Sequence, residues 1–181
     1  MSEIPSTERP LRRKDRLLTD DETRFAAKHA QFAILSTADA SATPYGIPLS
    51  AVYCDEDQTL YCHTTNDTDS RLYQNLKQNP KVSACMILHA KPAVEDAPKD
   101  FTVNFVSVVA TGELHEVTDE EKRQRVMALI SQHYLPMVTP EQIKDYYKIF
   151  GPQTRVWAMT IHSMTGKARH KEKFFDRFQS A

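Results

Sequence analysis

The chain is poor in cysteine, has no long apolar run and carries almost no net charge, and each shortage removes a class of function. Its three cysteines, Cys54, Cys62 and Cys85, are odd in number and form no CxxC pair, so buried free thiols are expected rather than disulfides or a zinc site. No stretch approaches the roughly 20 apolar residues that span a bilayer, and the N-terminus lacks the apolar core of a secretory signal. A cytoplasmic protein with no membrane partner is the expectation. Twenty-three Lys and Arg against 24 Asp and Glu leave a formal charge of −1, which provides no general attraction for nucleic acid. GxGxxG, Walker and HExxH motifs are all missing, which argues against a doubly wound nucleotide-binding sheet and a zinc hydrolase.

What is present reads as one domain, since 181 residues suffice to bury a sizeable core. Residues 1–18 form a basic arm carrying Arg9, Arg12, Arg13, Lys14 and Arg16. The body is assigned to 19–168, and 169–181 to a helical tail with Phe174, Phe175 and Phe178. Thr19 with Glu22 fits a capping box for a helix to about His29. Phe32–Thr37 reads as a strand ended by a turn at Asp39. The alternating run Gly46–Cys54 reads as one strand in which Pro48 marks an edge, a bulge or a gap. Asp55–Gln58 is a hairpin turn leading to a strand over Thr59–Thr65.

Any of Asn66, Asp67, Thr68 and Asp69 can cap the next helix, in which Leu72 and Leu76 stack and which Asn79-Pro80 terminates. Val82–Leu88 alternates as a strand, residues 89–100 read as a surface loop, and Phe101–Glu113 is apolar on both parities, as expected of a strand covered on both faces. Thr118 and Glu121 suggest a second capping box for a helix over Asp119–His133, Pro140 opens a shorter helix, and Arg155–His162 is the last strand. The sum is about six strands with peripheral helices, arranged as a small closed or partly closed barrel.

The polar residues inside these strands are the candidate site. His63 shares its parity with Tyr61 and Thr65, and Arg71 follows at a helix start, where a guanidinium and free amides can hold a phosphate. Ser50, Thr64 and Thr65 offer hydroxyls to a flat heterocycle.

Several segments, in order, carry a family resemblance: Arg12-Arg13-Lys14-Asp15-Arg16, Thr43-Pro44-Tyr45-Gly46-Ile47-Pro48-Leu49-Ser50, Leu60-Tyr61-Cys62-His63, Asn79-Pro80-Lys81-Val82, Ser107-Val108 followed by Gly112, and Met164-Thr165-Gly166-Lys167-Ala168. Together they resemble the FMN-binding split-barrel group related to pyridoxamine 5'-phosphate oxidase, and within it the nitroimidazole-resistance-like branch. The resemblance implies a mainly β fold with peripheral helices, a six-stranded antiparallel split β-barrel, and a homodimer with FMN in a groove between subunits. It implies cofactor contacts from Pro48, Leu49, Ser50, His63, Thr64, Thr65, Arg71, Ser107 and Trp157, with His63 also the catalytic candidate and no metal.

The implied activity is FMN-dependent oxidation–reduction, with NAD(P)H as a candidate donor and a small planar or nitroaromatic acceptor. The alternative is a non-catalytic split barrel holding FMN or haem for sensing, storage or structure, with His63, His89 and His162 as candidate haem ligands. One departure from the family pattern stands at Asp69-Ser70-Arg71, where relatives often carry glycine and a basic residue. Asp69 brings negative charge towards an expected phosphate.

Overall fold

The computed structural model describes residues 13–94 and 101–175. Arg9 and Arg12 of the basic arm, residues 95–100 of the expected loop and Phe178 of the tail lie outside the described residues. The structure is mainly β: β1 (Ala33–Ala38), β2 (Pro44–Leu49), β3 (Ala51–Cys54), β4 (Thr59–Thr65), β5 (Lys81–Ala93), β6 (Thr102–Glu116) and β7 (Thr154–Ala168). The helices are α1 (Asp20–Lys28), α2 (Arg71–Gln78), α3 (Glu120–Tyr134), α4 (Pro140–Phe150) and α5 (Lys171–Phe175). None of the described helices is long and apolar enough to cross a membrane.

All strands join one antiparallel sheet in the order β2-β1-β5-β6-β7-β4-β3. This corrects the expected six-stranded split barrel: the described residues form seven strands, and their ladder is open. The run expected as one strand is cut at Ser50, and its halves become the two edges of the sheet. Pro48 has no amide hydrogen, so it sits on an edge strand, where one side of the backbone needs no partner. Because a single residue joins the two edges, the sheet must curl until its ends approach each other, yet no ladder pairs them.

Local chemistry sets the helix boundaries. Thr19 and Glu22 close the expected capping box. At α2 the cap is Ser70, whose hydroxyl accepts from the Tyr73 amide, and not one of the four residues before it. Asp119 caps α3 by accepting from the Lys122 amide, so the box expected at Thr118 does not form. Thr139 and Gln142 form an unexpected box around Pro140 at the start of α4.

β5 and β7 run well past their expected ends, and β6 continues to Glu116. β5 continues through Ala93, replacing part of the expected loop, and β7 reaches Ala168 because both keep pairing with β6. The ladder with β7 shifts register between Thr111 and Gly112, where a Cβ on Gly112 would lie 1.9 Å from the Thr160 carbonyl oxygen.

The curled sheet separates two apolar clusters. Its inner face buries Leu35, Tyr53, Leu60, Ala84, Met86, Val106, Val108 and Trp157 with α1 and α2. Behind β3 and β4, Val52, Tyr61 and Val156 pack against Val126, Met127 and Ile130 of α3. The odd positions of β6 are not covered as expected: Val109 is 44% exposed and Val103 45%, while Val106, Val108 and Ala110 are buried.

Candidate functional site

Alternation along β4 sends neighbouring side chains to different clusters. Tyr61 and His63 face α3, while Cys62 and Thr64 face the inner core beside Trp157. His63 therefore opens into a cavity of about 360 Å³ between β4, the Ser50 break, α3 and α4. Met127, Ile130 and Tyr134 form one wall, and Ile143 and Tyr146 of α4 form the other. Among the described residues no Asp, Glu, Lys or Arg lines this chamber; its polar side chains are those of Ser50, His63, Ser131, Gln142 and the two tyrosines.

His63 is the chemical anomaly of the chamber. Its Nδ1 is buried without a hydrogen-bond partner, and burial lowers its pKa below the usual imidazole value. The imidazole is therefore held neutral with one buried nitrogen unsatisfied, while the residue itself lines the chamber. Tyr134 secures the wall opposite. Its hydroxyl accepts from the Ala51 amide and donates to the Ala51 carbonyl, both at 2.9 Å. That phenol replaces a strand partner at the point where the edge resumes after Ser50, and its pKa is raised, chiefly by burial. Cys62, on the other face of β4, has a thiol pKa pushed up to about 12 by burial, which leaves it an inert core group.

The other expected residues fall in different places. Pro48 and Ser50 are exposed at the sheet's split, and Leu49 is half-buried against the inner core. Trp157 is buried, and its Nε1–H donates to the Thr64 hydroxyl at 3.0 Å, which in turn donates to the Thr65 carbonyl. Ser107 lies on the open face of β6, paired in register with Ile87 and Lys167, away from the chamber's lining. Arg71 opens α2 and is exposed, with its guanidinium 5.0 Å from the centre of the Tyr45 ring. It does not line the chamber that His63 enters, so the subunit does not gather Arg71 and His63 in one cavity. The Ser70 hydroxyl donates to the Asp67 carbonyl, and the Asp69 amide donates to the Asp67 carboxylate, so this loop is held by its own hydrogen bonds. His89 borders a separate hollow beside Phe174, and His162 another beside Arg24, so the three candidate haem histidines face three different cavities.

Sequence reasoning missed Arg155 and the α3–α4 wall. Arg155 stands opposite Thr64 in the β4–β7 register, and its guanidinium lies 4.1 Å from the Tyr73 ring centre. Nε bonds Glu116 at 3.0 Å, while the buried Nη1 has no partner. A basic residue followed by an aromatic in Arg155-Val156-Trp157 was the one available hint. Tyr134 and Tyr146 gave none, because they reach the site from helices far along the chain.

The family profile described as pyridoxamine 5'-phosphate oxidase matches residues 20–168. Among solved structures, a candidate 5-nitroimidazole antibiotic resistance protein from Bacteroides thetaiotaomicron is 19% identical, with 83% of this chain and 85% of that one covered and a TM-score of 0.66. The flavocytochrome Anf3 from Azotobacter vinelandii is 19% identical over 88% of this chain and 72% of its own, with a TM-score of 0.67. A FAD-binding protein from Mesorhizobium loti is 18% identical over 85% and 97%, with a TM-score of 0.58. No curated protein sequence matches this one. At these identities the structures speak for the shared fold, whereas the profile covers the sheet, α1 to α4 and the His63 chamber, and on that match the chain belongs to the pyridoxamine 5'-phosphate oxidase family.

Proposed function

We propose that the protein is an FMN-dependent oxidoreductase acting on small planar acceptors, nitroaromatics included, with NAD(P)H as the electron donor. The observation that carries this reading is His63, with a buried Nδ1 that meets no partner among the described residues, lining a largely apolar chamber at the split of the sheet. Family membership and the flavin named for two of the similar structures support it.

The residues fit the cofactor in two portions. The exposed backbone from Pro48 to Ser50 and the unsatisfied imidazole of His63 suit the polar edge of a flat ring. Among the described residues no Lys or Arg lines the chamber, so the phosphate needs another seat. Arg71 supplies one candidate: among the described residues its guanidinium meets only the Tyr45 ring and no carboxylate. Bound FMN supplies hydride and electron transfer at its ring. Neutral His63 can hold a hydrogen bond to a ring or acceptor atom, and the α3–α4 walls give it a largely apolar surround.

A two-fold assembly completes the reading. β6 leaves Val103 and Val109 exposed, and Ser107 lies on the same face as Val109, so a second copy placed there would bury apolar area and bring Ser107 to the joint.

Purified protein should show flavin absorbance near roughly 450 nm or acquire it on adding FMN. Arg71→Glu should weaken FMN at least about tenfold, as expected when a charge-assisted phosphate contact becomes a repulsion. Absence of any flavin binding in the wild type would overturn the assignment. A non-catalytic flavin or haem holder is the second reading, favoured by the likeness to a flavocytochrome. A Soret band in place of the flavin spectrum would select it.

A further inference from the structure

We infer that the chamber between β4 and the α3–α4 pair seats an uncharged aromatic molecule, a quinone or nitroarene without carboxylate, phosphate or sulfonate, and that α4 enforces this selectivity. The inference rests on the flavin reading for what happens to that molecule, but its binding stands on the chamber itself.

The composition of the wall decides the class. Met127, Ile130, Val138 and Ile143 present only hydrocarbon and thioether surface, and Tyr134 and Tyr146 add aromatic faces. An anion inside would lose its water and gain no opposite charge, which is among the costliest arrangements available to a protein interior. The hydroxyls, the amide and the imidazole can hydrogen-bond a carbonyl or nitro oxygen, and His63 brings no positive charge near neutral pH because burial disfavours its protonation. A phosphate ester such as pyridoxamine 5'-phosphate would therefore meet no Lys or Arg among the described residues here.

Outside the mouth the apolar surface continues. Leu135 and Tyr146 of the lining are themselves 51% and 45% exposed, and Met137 in the turn between the two helices and Ile149 and Phe150 of α4 also stand uncovered. Such an apron favours the approach of a sparingly soluble ring over that of a charged metabolite. In the redox reading, reduction of a bound quinone to hydroquinone would consume one NAD(P)H and one proton from solvent and leave NAD(P)+, with FMN, once held, supplying the hydride-transfer chemistry.

The test compares menadione with a naphthoquinone sulfonate by equilibrium dialysis against the full chain, first without flavin and then with saturating FMN. Menadione should bind one site at least about tenfold tighter than the sulfonate, reflecting the unpaired buried charge. Tyr146→Lys and, independently, the rim variant Leu135→Lys should narrow or reverse that ratio while FMN affinity, read from flavin fluorescence, is unchanged. Both substitutions lie on exposed positions, and circular dichroism verifies that they fold. Equal binding of the two probes, an unaltered ratio in both folded variants, or displacement of menadione by FMN would each overturn the proposal. Menadione binding that persists in a protein unable to bind FMN would uphold the chamber and remove the flavin reading alone.

Discussion

His63 owes its altered acidity to burial, with no charged neighbour among the causes of the shift. A histidine whose folded-state pKa lies below its unfolded value takes up its proton more readily when the chain unfolds. Its neutral form is compatible with folding at high pH, and stability falls as pH drops below about 6.5, the ordinary imidazole value. Thermal melts between about pH 7 and pH 5 should therefore slope downward, and His63→Gln should flatten part of that slope. An unchanged slope would mean that the imidazole is freely solvated. Arg155 is the other residue with unused capacity. It is held between Tyr73 and Glu116 with its side chain only 11% exposed, close enough to Thr64 that its loss would loosen the strand flanking His63.

At the level of elements, the chamber exists because α3 and α4 are fastened to the end of β7. Arg123 of α3 makes the fastening. Its guanidinium donates to the carbonyls of Gly151 and Thr154, each at 2.9 Å, and to Glu120. Lysine cannot reproduce that fork. Arg123→Ala should cost about 2 kcal/mol and lower the melting temperature by roughly 5 °C, with Arg123→Lys recovering only a minor part. Gly112 matters for a different reason, since β7 backbone occupies the space a side chain would need. Gly112→Ala should destabilise by more than about 4 kcal/mol or abolish soluble folding, because the whole β6–β7 ladder must move. Melting curves and soluble yield measure both.

Elements with local signals were legible in the sequence. Thr19 and Glu22 lie within one helical turn and form their box as read, and Pro48, read as an edge, a bulge or a gap, lies on the edge strand β2. Features that depend on distant partners were not. Ser50 ends one strand and precedes another, but nothing within the run reveals that Tyr134, 83 residues beyond Ala51, supplies the missing partner. The same blindness gave the wrong strand count and the wrong closure. Of the candidate site, Ser50 and His63 meet at one cavity, while Arg71, Ser107 and Trp157 are dispersed because alternation and strand order assign them to other faces.

For the molecule as a whole, the uncovered side of β6, where Val103 and Val109 are exposed, is the surface proposed for a second copy. Light scattering should give twice the monomer mass, and Val109→Asp should yield monomers that keep their circular dichroism spectrum. A monomeric wild type would remove the two-fold assembly. Strand β2 faces the opposite hazard. Pro44 and Pro48 cannot donate, so bonds to β1 fall to Tyr45, Ile47 and Leu49, and of the three intervening residues that face away from β1 only Gly46 carries an amide hydrogen. A foreign strand seeking to extend the sheet into a fibril would find almost no donors there, so this rim is protected against runaway aggregation while remaining accessible to a small molecule.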